Sequence, residues 1–242
     1  MNGLSASLAE FDAMVAGYDV VLRSAVDLMV CPPTTLLTSM AVRVGTSGIA
    51  LGGQDCHAAI QGAHTGCISA EMIADAGGTS VIVGHSERRA DHHETSEMVA
   101  AKAKAALRAG LLAIICVGET KSERLEGKAL AVVGQQLKES VPVDLDASRV
   151  VIAYEPVWAI GTGLTPTTAD VIEMHAHIRA LLSDLFGAAG ASIRILYGGS
   201  VKPSNAAELL SAANVGGALV GGASLKAADF LPIAQAAAAI VR

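Results

Sequence analysis

No apolar run in this chain is long enough to cross a bilayer: stretches such as Leu111–Val117 fall far short of the ~18–20 residues a spanning helix requires. The opening Met1-Asn2-Gly3-Leu4-Ser5 has neither a basic region nor an apolar one behind it, so no secretory signal is visible and no membrane partner is expected. An excess of positive charge is missing as well. Lys and Arg number 17 against 23 Asp and Glu, and the net charge of −6 argues against nucleic acid as a general partner. Any anionic ligand must therefore be held by a local site. The four cysteines, Cys31, Cys56, Cys67 and Cys116, make no C-x-x-C pair, and a chain this long can be stabilised by its core alone. Reduced thiols and a cytoplasmic location are the default expectation. Cys116 ends a strand-like run, where an inert buried thiol is a commoner reading than a reactive one. No metal site is evident: His92-His93 and His175-x-His177 lack a third ligand and read as surface or helix-flank histidines.

What the chain does have is apolar residues at 52%, with charged residues at 17%, aromatics at 3% and 25 glycines, a composition that excludes disorder and supplies a sizeable core. A length of 242 allows one large α/β domain or two small ones, and no Ser/Pro-rich linker divides it, so residues 1–242 read as one domain. Short apolar runs alternate with stretches of helical period. The strand candidates are Val26–Val30, Ile49–Gly53, Ser80–Gly84, Leu112–Val117, Val150–Tyr154, Ile193–Tyr197 and Ala218–Val220. They are continuously apolar, as parallel strands covered on both faces should be. Helices are expected over Pro33–Val44, Glu94–Ala109 (stopped by Gly110), Lys121–Leu137, Thr168–Leu185 (capped by Thr167 and Asp170), Asn205–Ala212 and Ala228–Val241. Repeated βα units make either an open doubly wound sheet or a closed (β/α)8 barrel. The count gives seven strands, and the first element after Met1 reads as a helix, with Ser7-x-x-Glu10 as its cap ahead of Phe11, Met14 and Val15. An eight-stranded barrel would need a strand ahead of Met1.

Three groups of residues carry chemistry. Gly84-His85-Ser86-Glu87-Arg88-Arg89 follows a strand directly, and a His at a strand's C-terminal end projects into a barrel mouth, although a solvated loop is the bland alternative. Glu155 ends another apolar strand, where partial burial raises a carboxylate pKa towards that of a general base. Behind it, Pro156–Gly163 has a stiff apolar tip between short hinges, the build of a closing lid, against the alternative of a loop whose Trp158 fills a gap. The third group is Tyr197-Gly198-Gly199-Ser200 with Gly221-Gly222-Ala223-Ser224, each after a strand, where bare backbone N–H groups can meet a phosphate or simply make tight turns.

In order and spacing, GHSERR, AYEPVWAIGTG, YGGS and GGASL resemble the triosephosphate isomerase family over nearly the whole chain. The resemblance implies a TIM (β/α)8 barrel, here apparently lacking its first strand. It implies a cofactor-free aldose–ketose isomerase of glycolysis and gluconeogenesis that interconverts dihydroxyacetone phosphate and D-glyceraldehyde 3-phosphate through an enediolate. By that likeness Glu155 is the base and His85 the electrophile, and Gly161, Ser200, Gly221 and Gly222 hold the phosphate of the triose substrate. Tyr197 supports the closed lid and Glu87 supports the site. The loop Gln54–Gly66 resembles the family's dimer loop, with Thr65 reaching a second subunit of a homodimer.

Two departures stand out. The family's opening strand ends in Gly-Asn-Trp-Lys-Met-Asn-Gly, of which only the tail, Met1-Asn2-Gly3, is present. The absent Lys would place positive charge beside the oxyanion, an effect of roughly 3–4 kcal/mol or ~10²–10³ in rate. Glu87 would lose its partner, and two strand edges would stand unpaired. A misplaced start, a crippled isomerase and a gap filled by another segment are the three explanations, and the intact remaining strings favour the first. The second departure is Cys67 where the family has Glu, which is expected to leave Arg88 without its partner. Rival readings are another phosphate-binding barrel, disfavoured because no Lys closes a strand, and a non-catalytic phosphosugar-binding barrel protein.

Overall fold

All seven expected strands appear in the computed structural model, which describes residues 1–142, 146–159 and 166–240. They are β1 (Met29–Val30), β2 (Ala50–Gly53), β3 (Ser80–Val83), β4 (Leu112–Val117), β5 (Val150–Tyr154), β6 (Arg194–Tyr197) and β7 (Gly217–Ala218). Each pairs in parallel with the next in chain order, as right-handed βα units require. Side chains alternate between two cores. Ile82, Ile114, Cys116, Val151 and Ala153 form an inner cluster joined by Met29, Cys31 and Leu219, while Val81, Val83 and Ile115 face an outer layer of helices. Residues of β1, of the middle strands and of the stretch after β7 meet in one interior, so the sheet is curled into a barrel wall. No ladder joins β1 to β7 among the described residues.

The outer layer consists of α1 (Leu8–Gly17), α2 (Val20–Arg23), α3 (Thr34–Val44), α4 (Ala70–Asp75), α5 (Ser86–Asp91), α6 (Ser96–Arg108), α7 (Lys121–Leu125), α8 (Ala129–Ser140), α9 (Thr168–Phe186), α10 (Ala206–Leu210) and α11 (Ala227–Ile240). Local chemistry sets their ends. Thr167 and Asp170 form a reciprocal capping box on α9. Gly110, at φ +83°, turns the chain out of α6. The helix expected over 121–137 is two helices, because Gly127 (φ +71°) breaks it and the Lys128 N–H donates back to Glu123 O at 2.8 Å.

Some expectations are corrected. β1 is shorter than Val26–Val30, because the Val26 N–H already donates to Leu22 O (3.0 Å) and its carbonyl accepts from the Tyr18 hydroxyl. β7 is Gly217–Ala218, with the Leu219 N–H still donating to Tyr197 O at 2.9 Å. Ser7 stands before α1 but its side chain makes no cap. Glu10 accepts instead from the Ala227 N–H and from Lys226 Nζ, each at 3.0 Å, at the start of α11. With α1 packed against both α3 and α11, the helical layer runs past the gap in the sheet. His175 is no surface histidine: it is fully buried on α9, with Nδ1 3.2 Å from Asn214 O, and burial lowers its pKa to about 4. Position 241 of the last expected helix lies outside the described residues.

Candidate active site

β3 and β5 deliver the two central groups at their C-terminal ends. After β3, Gly84 takes φ +69°, a left-handed conformation that suits glycine, and its carbonyl accepts from Arg89 Nε at 2.9 Å. Arg89 also donates to Cys116 O (3.1 Å) and Ser140 Oγ (3.0 Å), pinning this turn to β4 and α8. His85 then caps α5, with Nδ1 accepting from the Glu87 N–H at 3.3 Å. An accepting Nδ1 puts the imidazole proton on Nε2. That nitrogen lies 3.0 Å from Glu155 Oε1.

Glu155 is 1% exposed, and a carboxylate so deeply buried needs donors. Ser86 supplies two, its N–H to Oε2 at 3.0 Å and its hydroxyl to Oε1 at 2.9 Å, and His85 is the third. Burial works against a charged His85, but the hydrogen bond and charge of Glu155, with Glu87 farther out, outweigh it and raise the imidazole pKa above its ordinary value. Glu87 itself is exposed, its carboxylate 3.8 Å from His85 Nδ1. β4 comes close behind the pair: a Cβ on Gly118 would lie 1.9 Å from the Glu155 carbonyl oxygen, so only glycine fits there.

Beneath the chain leaving β5 sits Glu119, fully buried. Its Oε1 accepts from the Trp158 indole at 2.8 Å and the Tyr154 hydroxyl at 3.1 Å, and burial raises its pKa. Tyr197 is buried next to the His175 ring, with its hydroxyl against Gly199, and burial pushes it up to about 12. The backbone N–H groups of Ser200 and Gly221 meet no acceptor among the described residues, and no atom lies within 4 Å of where a Cβ on Gly221 or Gly222 would stand. Gly161 and residues 160–163 of the expected lid lie outside the described residues. Thr65 is on an exposed loop, and no hydrogen bond or ion pair joins it to His85 or Glu155. Cys116 is buried with its thiol pKa raised, as an inert cysteine should be.

One expectation is overturned. Arg88 is not left unpaired by Cys67: it reaches Glu94 Oε1 at 2.6 Å and Asp55 Oδ2 at 3.0 Å, and Lys102 Nζ bonds the same two carboxylates at 2.6 Å each. Ser86, Arg89 and Glu119 were not singled out from sequence. Glu119 carries the same signal as Glu155, a carboxylate just past an apolar strand, and could have been found that way. Nothing local marks Ser86.

A family model described as triosephosphate isomerase matches residues 1–237. The triosephosphate isomerase of Xanthobacter autotrophicus is 62% identical over 236 residues, covering 98% of this chain and 93% of the relative. That of Afipia carboxidovorans is 61% identical, with coverages of 98% and 94%. A crystal structure of triosephosphate isomerase from Bartonella henselae superposes with a TM-score of 0.90 at 50% identity, covering 98% and 94% of the two chains.

Proposed function

The chain belongs to the triosephosphate isomerase family, and from that premise we propose how its residues divide the isomerase's work between proton transfer, polarisation and phosphate binding. The reaction interconverts dihydroxyacetone phosphate and D-glyceraldehyde 3-phosphate. Glu155 removes the proton from the carbon beside the ketone, leaving an enediolate. His85, with its proton on Nε2, donates to the carbonyl oxygen where negative charge develops. Glu155 then returns the proton to the neighbouring carbon. Because His85 and Glu155 touch at 3.0 Å, entry of a three-carbon ketone must part them, releasing the carboxylate from Ser86 as well. Substrate that takes the place of those donors meets the carboxylate directly, the contact that proton abstraction requires. Ser200, Gly221 and Gly222 offer backbone N–H groups to the phosphate, with Gly161 completing them from the segment Pro156–Gly163, which closes as a lid and excludes water. Tyr197 supports that lid, and Glu87 supports His85.

The observation that carries this reading is the contact between His85 and the buried Glu155 at the ends of β3 and β5, the two strands that flank β4. It also favours an enzyme over a binding protein, since holding a sugar phosphate does not require a desolvated base. Glu155→Gln is expected to lower kcat by about 10³-fold while inorganic phosphate still protects the protein against unfolding; near-normal turnover in a coupled assay overturns the assignment. The protein acts as a single-domain barrel in the cytoplasm. It forms a homodimer through the loop that carries Thr65, and a monomer mass in sedimentation at micromolar concentration refutes that.

A further inference from the structure

The β3–β4 ladder ends at the pair Val83↔Ile115, one residue short of Gly84. No backbone hydrogen bond from Gly84 or His85 reaches β4 among the described residues. A side chain takes over at that level. Arg89, about one turn along α5 from His85, donates from Nε to Gly84 O at 2.9 Å and from Nη2 to Cys116 O at 3.1 Å. Gly84 and Cys116 are the next residues of the two strands beyond the last pair, so one guanidinium joins the chain where the ladder stops. Its other bonds run outward, Nη2 to Ser140 Oγ at the end of α8 (3.0 Å) and Nη1 to Ser96 Oγ at the start of α6 (3.3 Å). All four acceptors are neutral. A half-buried cation is costly unless its N–H groups are met, and here oxygens from four parts of the fold converge on it. Burial lowers its pKa, and the carboxylate whose charge acts on it most is Glu155.

The end of β4 is tied onward to the base. The Glu155 N–H donates to Val117 O at 2.8 Å, and Gly118 lies against the Glu155 carbonyl. A continuous set of bonds therefore runs from the peptide ahead of His85, through Arg89 and the end of β4, to the backbone of Glu155. We propose that Arg89 is a positioning residue of the isomerase: its guanidinium joins Gly84 to Cys116 and so sets the backbone spacing of His85 and Glu155. This rests on the roles given to those two residues above. Displacing such a pair by about 1 Å can cost ~10²-fold in rate while leaving binding intact. A planar guanidinium spans two carbonyls at a fixed separation, whereas a Lys ammonium is a point charge on a flexible stem.

In the full chain, Arg89→Lys keeps the charge and loses the fork. It is expected to lower kcat roughly 10-fold, with KM for dihydroxyacetone phosphate within about 2-fold of the parent's. The His85 ring N–H proton signal, assigned by its loss in His85→Gln, is expected to move upfield in the free protein as its hydrogen bond to Glu155 lengthens. Parental kcat overturns the proposal. So does a lowered kcat with the His85 signal unmoved, which is what a merely structural role would give. If Arg89→Lys does not fold, Ser140→Ala decides, because it takes away one acceptor of Nη2 and leaves both carbonyl bonds. It is expected to shift kcat and the His85 signal the same way by a smaller factor, and parental values of both overturn the proposal. The two readings fail separately. If the parent turns over no triose phosphate yet Arg89→Lys moves the His85 signal, the isomerase assignment falls and the positioning of the pair stands. If the parent is active and Arg89→Lys matches it in both measurements, the positioning role falls alone.

Discussion

The barrel wall has two unlike regions. From β3 to β5 every strand residue but Leu112 is buried, and the ladders β3–β4 and β4–β5 engage four and five residue pairs. At the seam, β1 and β7 are two residues each, half-buried, and paired on one side only among the described residues. Met29, Cys31 and Leu219, which join the inner core from the seam side, are likewise only half-buried. His85 and Glu155 both hang from the well-paired arc. In the proposed mechanism the two must keep their spacing to a fraction of an ångström, and doubly paired, fully buried backbone is what resists local opening. The proposed site therefore sits where the ladder is longest, and the seam lies away from it.

The largest test of this contrast is made in the arc. His85→Ala removes one donor from Glu155 and leaves the seam untouched, and it is expected to lower kcat/KM by ~10²–10³, the scale of one well-placed electrostatic group. A near-normal rate would mean that the arc carries no chemistry. The next test acidifies the arc's backing. His175 lies behind β5 and β6, edge-on to Tyr154, and burial lowers its pKa to about 4. Its ordinary value is ~6.5, so the unfolded chain takes up this proton first. Stability from this group is complete above pH ~6.5 and is lost as pH falls towards 4, by up to about 3 kcal/mol. Denaturant midpoints across that range should show the decline, and His175→Phe should flatten it. The smallest test uses two glycines. Gly118→Ala forces a methyl against the Glu155 backbone and is expected to cost about 1–3 kcal/mol, whereas Gly222→Ala, near the seam in open space, should change thermal stability by less than about 0.5 kcal/mol. Similar melting shifts for the two would erase the contrast.

How much of this was legible from the amino acids follows from which interactions are local. The parallel barrel could be read because strands covered on both faces are uninterrupted runs, and Leu112–Val117 and Val150–Tyr154 match β4 and β5 residue for residue. His85 and Glu155, the proposed electrophile and base, stand out because each follows directly on such a run. Gly127 is a helix-break signal, but the apolar period that resumes beyond it hides the break. The two donors of Ser86 to Glu155, the burial of His175 and the carboxylates around Arg88 depend on residues remote in the chain, which no local pattern encodes. Arg88 illustrates the point: the acid that Cys67 replaces is not needed to pair it, because it meets Asp55 and Glu94.

Glu10 meeting the first N–H of α11 has a consequence of its own. It ties the start of α1 to the start of α11, residues 217 positions apart, so the helical layer can close across the seam only after α11 itself has been made, and the last step of assembly joins the two most distant parts of the fold.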